Sequence, residues 1–151
     1  MAGSSSERLR SFRTAPRVQP MSSDQEQPTS VLIVDDNHDA ADSTCYILSH
    51  MGYPAQVAYD AGRALQLARA HAPQVVLLDL AMPGGNGLEL AQDLRRLPEM
   101  NHALLICISG FASAEDRRLS RQAGCDHHLL KPFDWVDLLR LLDDGKARAR
   151  R

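Results

Sequence analysis

Five short apolar runs alternating with five amphipathic segments predict an α/β fold: a doubly wound, five-stranded parallel sheet with five helices on its two faces. Two observations carry this prediction. The apolar runs are strand-sized and nearly unbroken, as strands buried on both faces are. The connections between runs and helical stretches are short, so each unit reads as a strand followed by a helix. A third observation concerns chemistry. Right-handed crossovers bring the C-terminal ends of parallel strands to one edge. At that edge lie Asp35 and Asp36, Asp79, Ser109 and Lys131, each closing an apolar run.

The predicted strands cover residues 31–35, 55–59, 74–79, 104–109 and 127–130. Helices are expected over residues 38–51, 62–71, 87–94, 114–122 and 135–143. Asp60 stands where the second helix needs an N-cap, Ser113 and Asp116 form a capping-box pair before the fourth, and Asp134 precedes the fifth. Gly52 and Gly124 are placed as helix C-terminal stops. The run 84–87 (Gly-Gly-Asn-Gly) has no Lys-Ser/Thr after it and reads as a turn, not a phosphate cradle.

With 151 residues, 44% hydrophobic and 24% charged, the chain is sized for one domain with a full core. No apolar stretch is long enough to span a bilayer. Residues 1–29 are rich in Ser, Pro, Gln and Arg without apolar periodicity, so a disordered extension is expected there, with Met21 as an alternative start. The ordered domain is expected over 30–144, which carries a net charge of −7. A basic tail over 145–151 carries +4. That tail reads as a solvated terminus; no recognition motif accompanies it, so nucleic-acid binding is not expected. Cys45, Cys107 and Cys125 are few and widely spaced. They read as reduced thiols, which with the lack of an apolar leader suits the cytoplasm.

Three carboxylates in one cleft repel each other unless a cation lies among them. Oxygen donors of this kind suit Mg²⁺ and disfavour zinc. An aspartate beside such an ion can attack phosphorus and form an acyl phosphate. Lys131, a compact point charge, suits the neutralisation of phosphoryl oxygens, and Ser109 can donate a hydrogen bond to one of them.

The blocks Val34-Asp35-Asp36-Asn37, Leu77-Leu78-Asp79-Leu80-Ala81-Met82-Pro83, Ile108-Ser109-Gly110 and Leu130-Lys131-Pro132-Phe133 resemble the receiver domain of bacterial two-component response regulators. So does the strand–helix junction Ala58-Tyr59-Asp60-Ala61-Gly62. The resemblance covers about residues 30–144 and implies a flavodoxin-like, CheY-like sheet of order 2-1-3-4-5. It implies that Asp79 is the phosphoacceptor for a histidine kinase or phosphotransfer protein. It makes Asp36 a direct Mg²⁺ ligand, Asp35 a ligand through water, and the Ala81 carbonyl the backbone ligand. Ser109 becomes the switching hydroxyl, Lys131 its counter-charge, and Lys131-Pro132 a cis peptide. The family's switch ring, usually Tyr or Phe, falls on His128, which favours a phosphorelay or sensor-kinase-associated type.

Rival expectations are weaker. An aspartyl phosphohydrolase similar to haloacid dehalogenases needs an acid two residues after the nucleophile, where this chain has Ala81. A phosphorylation-independent pseudo-receiver would have no use for an intact acid, hydroxyl and lysine set. No output domain is expected after the last helix, so the reading is a regulatory, single-domain module acting through partners. On that helix Trp135, Leu138, Leu139 and Leu142 form a core stripe, while Val136 and Leu141 fall outside it. With the fourth helix and fifth strand they mark either a partner or homodimer face or a broad core stripe. His127 and His128 point to opposite faces and do not share a ligand. His38, just past the acid pair, either borders the pocket or, the preferred reading, is a plain helix-start residue; His50 and His71 read as ordinary C-terminal helix residues.

Overall fold

The computed structural model describes residues 28–83, 87–111 and 113–149. Residues 1–27 of the extension expected to be disordered, Met21 among them, and residues 84–86 of the expected turn therefore lie outside the described residues, while Thr29, at the end of that extension, is buried. Five strands form one parallel sheet: β1 (Val31–Val34), β2 (Ala55–Ala58), β3 (Val75–Asp79), β4 (Leu104–Ser109) and β5 (His127–Leu130). The helices are α1 (His38–His50), α2 (Ala61–His71), α3 (Gly87–Arg96), α4 (Ala114–Gln122) and α5 (Trp135–Ala149). A short 3₁₀ turn, Pro98–Met100, follows α3. Strand order is β2-β1-β3-β4-β5, the predicted doubly wound arrangement.

Alternation along each central strand divides the core in two. Leu32, Val34, Val76, Leu78, Leu105 and Cys107 face α2 and α3, meeting Ala64, Leu67, Leu90 and Leu94. Val31, Ile33, Val75, Leu77, Ile106 and Ile108 face α1 and α5, meeting Leu48, Leu138 and Leu142. Both faces of β1, β3 and β4 are thus closed to water, which is why these runs carry no polar alternation.

Local chemistry starts and stops the helices. The Asn37 side chain accepts from Ala40 N–H and caps α1; Asp60 accepts from Arg63 N–H and caps α2. Ser113 and Asp116 make the reciprocal capping box of α4. Asp134 Oδ1 accepts from Val136 N–H at 2.9 Å at the start of α5. Gly52 and Gly124 take φ of +94° and +109°, the left-handed conformation that ends a helix without steric cost. At the sheet edge away from the acids, Arg95 ties the molecule together. Its guanidinium bonds the carbonyls of Gly124, Met100 and Ala103 and pairs with Asp126 at 2.5 Å. Asp126 in turn accepts from Leu105 N–H.

Two expectations need correction, and one open choice is decided. The last helix does not stop near residue 143 but continues to Ala149. Gly145 lets it do so, because a Cβ there would come within 2.5 Å of Val75 Cγ2. Of the two readings of Leu141, the structure favours the broad core stripe: the residue packs partly buried against the core face shared by α1 and α5. Val136, in contrast, is 58% exposed.

The second correction concerns the thiols. Cys107 and Cys125 form a disulfide with Cα atoms 6.1 Å apart, leaving Cys45 free. Linear spacing concealed this, because only the β4–β5 pairing brings the stretch before β5 beside Cys107. The thiol argument for a reducing compartment falls with it. Among the described residues no helix is long and apolar enough to cross a membrane.

A labelling experiment checks the disulfide. In denaturant without reductant, an alkylating reagent should modify Cys45 alone; after reduction it should also modify Cys107 and Cys125. Closing a loop of this length contributes about 3 kcal/mol by the chain-entropy argument, so reduction should lower stability by roughly that amount. Full labelling of all three thiols before reduction would contradict the assignment.

Candidate functional site

The register explains why the acids meet. β1 lies between β2 and β3, with Val34 level with Leu78. The residues just beyond, Asp35 and Asp79, therefore leave the sheet side by side. Asp36 continues from Asp35 into the turn before α1. One oxygen from each of Asp35, Asp36 and Asp79 lies within 4.8 Å of the others. Asp79 is buried and Asp36 is exposed, so the cluster opens outward from a fixed base.

Asp79 is held from three directions. Its Oδ1 accepts from Ala81 N–H at 2.9 Å, and its Oδ2 receives Lys131 Nζ at 3.2 Å. The strand backbone supplies the third constraint, since Asp79 is the last residue of β3 and pairs with Ile108. Lys131 leaves β5 through its N–H to the Ser109 carbonyl, at 2.8 Å, and the Lys131-Pro132 peptide is cis. Behind Leu80, Gly87 must be glycine: a Cβ would lie 2.6 Å from Leu80 Cα. The start of α3 thus sits directly against the loop that carries the acid.

Burial is the main reason the Asp35 carboxyl titrates above the ordinary carboxylate value, and neighbouring Asp79 adds to the shift. The Asn37 N–H, donated to Asp35 Oδ1 at 3.0 Å, and the Lys131 charge oppose it. Three hard oxygen donors, one of them destabilised as an anion, form a set that a divalent cation satisfies.

Ser109 is not aimed at Asp79. Its hydroxyl donates to the Phe111 carbonyl at 2.6 Å and lies 2.8 Å from His128 Nε2. His128 Nδ1 lies 3.2 Å from Ser120 Oγ. His127 turns the other way, toward Asp144 on α5. Sequence reasoning did not single out Phe111 or Ser120 in this group. Ser120 carried a usable signal: it is a polar residue on the inward stripe of α4 and is 2% exposed.

A second group borders the acids, built on His38, for which the sequence left that place open. His38 stacks on Tyr59 with ring centroids 3.7 Å apart, and the Tyr59 hydroxyl donates to Asp42 at 2.5 Å. That bond holds the phenol's proton and raises its titration above the ordinary value. His38 thereby fixes the flank of the cluster. His50, at the end of α1, bonds the Tyr46 carbonyl and takes no part in the site.

The chemistry sits at the end of a cleft of about 670 Å³. Asp35, Asp79 and Lys131 form its polar end, and Ile33, Ile47, Phe133 and Trp135 line the apolar remainder. The arrangement can therefore hold a cation, offer a rigid carboxylate to an electrophile, and neutralise the charge that results.

The sign of the Asp35 shift gives a stability test. The folded carboxyl binds its proton more tightly than the unfolded one. Its favourable contribution is complete below the ordinary carboxylate range and is lost as pH rises through the raised folded value. Asp35→Asn should therefore stabilise the metal-free protein at neutral pH, by on the order of 1 kcal/mol. The gain should vanish in acid. Thermal unfolding in chelator-treated buffer reports it, and an unchanged or lower midpoint at neutral pH would contradict the account of Asp35 as a buried acid beside a like charge.

Comparison with known proteins places this geometry. Residues 31–143 match the family model described as the response regulator receiver domain. A relative described as an uncharacterised 14.6 kDa protein in the sodA1 3′ region of Leptolyngbya boryana is 34% identical over 112 residues, covering 74% of this chain and 86% of that protein. Among solved structures, a CheY-like response regulator receiver domain protein from Methanospirillum hungatei JF-1 superposes with a TM-score of 0.72 at 31% identity, covering 80% of this chain and 98% of that one. The chemotaxis protein CheY4 of Vibrio cholerae gives 0.74 at 25% identity, covering 79% and 99%. Sheet order, matched length and motif positions agree, and the chain belongs to the response regulator receiver family.

Proposed function

We propose that the protein is a regulatory phosphoacceptor that takes a phosphoryl group from a kinase phosphohistidine onto Asp79. The observation that carries this reading is the Asp79 carboxylate, fixed by Ala81 N–H and touched by Lys131 Nζ at 3.2 Å, with two further acids beside it. An Asp79 oxygen forms a bond to phosphorus while the phosphorus–nitrogen bond breaks, and the imidazole leaves with the electron pair. The product is an acyl phosphate on the strand end.

Asp35, Asp36, Asp79 and the Ala81 carbonyl would hold Mg²⁺. When bound, the ion supplies positive charge for the phosphoryl oxygens. Lys131 exchanges its carboxylate partner for a phosphoryl oxygen without leaving its place. Ser109 turns from the Phe111 carbonyl toward another phosphoryl oxygen.

Movement at Ser109 reaches the surface through α4 and β5. Phe111, Leu130 and Val136 are large, exposed apolar residues on or beside α4, β5 and α5. We assign this face to phosphorylation-dependent contact with an output protein, a phosphorelay partner or a second copy of the chain. The kinase or phosphotransfer protein meets the edge of the sheet where the acids open. The cytoplasm is the compartment in which such a donor would be encountered.

Intact mass after incubation with Mg²⁺ and acetyl phosphate tests the reading. One phosphoryl adduct is expected; it should need Mg²⁺ and be absent from Asp79→Asn. Lys131→Ala should still fold but accumulate the adduct at least tenfold more slowly, since it removes a charge-assisted contact worth about 1.5–3 kcal/mol. A folded protein that gains no adduct would favour a module acting through its surface alone.

A further inference from the structure

His128 stands at the centre of four hydrogen bonds whose protons can be counted. Ser109 Oγ donates to the Phe111 carbonyl and lies 2.8 Å from His128 Nε2. Ser120 Oγ donates to the Arg117 carbonyl at 3.0 Å and lies 3.2 Å from His128 Nδ1. Each hydroxyl has a single hydrogen, and each has a backbone carbonyl within reach to receive it, while Ser109 Oγ also accepts from Phe111 N–H at 3.3 Å. With both hydrogens on those carbonyls, both ring nitrogens act as donors, an arrangement that only an imidazolium supplies. A neutral ring keeps only one N–H. One serine would then have to turn its hydrogen from a carbonyl to the bare nitrogen, and the set would lose a bond.

We propose that His128 is a positioning residue that, when protonated, holds the Ser109 hydroxyl on the Phe111 carbonyl and out of reach of a phosphoryl group on Asp79. Acid thereby biases the protein against its switched arrangement. The inference rests on the receiver reading of Asp79 and adds a second input to the same site. It gives the polar ring at this position a direct bond to the moving hydroxyl.

The charges around the ring come from several elements. Asp116, in the first turn of α4, is the acid that shares a hollow with the ring. Arg117 and Arg121, also on α4, line the polar hollow on the ring's other side. Asp126 and His127 complete that hollow from the approach to β5. Asp126 already pairs with Arg95. From β4 the neighbours are Ser109 and Cys107, whose disulfide to Cys125 carries no charge.

Linkage makes the idea testable, because coupling between two events is reciprocal. If the imidazolium stabilises the resting Ser109, then drawing Ser109 toward a phosphoryl group must weaken proton binding at His128. Simple electrostatics has the opposite sign: added negative charge nearby would strengthen proton binding.

The experiment is a pH titration of the His128 ring nitrogens by ¹⁵N NMR. The full chain is compared with Ser109→Ala and with protein loaded with beryllofluoride and Mg²⁺, a stable stand-in for the aspartyl phosphate. The titration midpoint should fall in Ser109→Ala, which removes an acceptor, and fall again on loading. An unchanged midpoint in Ser109→Ala, or a rise on loading, would overturn the proposal.

A rate measurement with acetyl phosphate supplies the functional readout. His128→Gln keeps a neutral donor to Ser109 at every pH. The wild-type rate relative to His128→Gln should increase roughly threefold to tenfold between about pH 6 and about pH 8, the effect of one hydrogen bond. A flat ratio would count against the inference. Failure of both proteins to form any Asp79 adduct would instead count against the receiver reading, and the Ser109→Ala titration would still decide the coupling.

Discussion

Repulsion among three carboxylates at one edge of the sheet is the constraint on which the rest of the structure turns. Hydrophobic burial alone would not gather Asp35, Asp36 and Asp79 within 4.8 Å. The parallel pairing of β1 with β3 forces the acids together, and the core that enforces the pairing is nearly dry on both faces. Lys131 relieves part of the repulsion from below, and the Asn37 and Ala81 N–H groups relieve more. Asp35 carries what remains: burial first, and then neighbouring Asp79, make its carboxyl resist ionisation. Three oxygen donors under that stress form a set that a hard divalent cation satisfies.

The same geometry connects the acid cluster to the far face of the molecule. Lys131 and Ser109 lie on adjacent strands, joined by the Lys131 N–H to the Ser109 carbonyl. Ser109 reaches His128, and His128 reaches Ser120 on α4. Each link is one hydrogen bond, so a change at Asp79 has a short chemical route to α4 and to the exposed Phe111. The Cys107–Cys125 disulfide brackets this route, tying β4 to the segment that leads into β5. It restrains the base of α4 while leaving the Ser109 end free to turn.

Much of this was legible in the residues. Strand ends could be read because an apolar run followed by a polar residue and a turn marks where a buried parallel strand meets water. Helix starts could be read because Asp60 and Ser113 with Asp116 supply the hydrogen bonds that open N-termini need. The end of α5 could not be read. Gly145 lowers helix propensity, yet close packing on Val75 outweighs that cost. The disulfide escaped because pairing of thiols depends on three-dimensional distance, not spacing. Leu141 sat outside an ideal stripe but found partial cover, since a helix lying on a twisted sheet buries a wider arc than the stripe allows. Ser109's resting partner was hidden for another reason: it is a backbone carbonyl, and carbonyls have no sequence signature.

A titration with Mg²⁺ followed by Trp135 fluorescence tests the central claim most directly. Trp135 is the chain's one tryptophan and lines the cleft with Asp35, Asp79 and Lys131. The like-charge account requires a saturable fluorescence change with Mg²⁺ that persists in sodium chloride of matched ionic strength and disappears when Asp35 and Asp36 are both replaced by Asn. A folded protein with no saturable response, or one whose double variant responds as the wild type does, would contradict it.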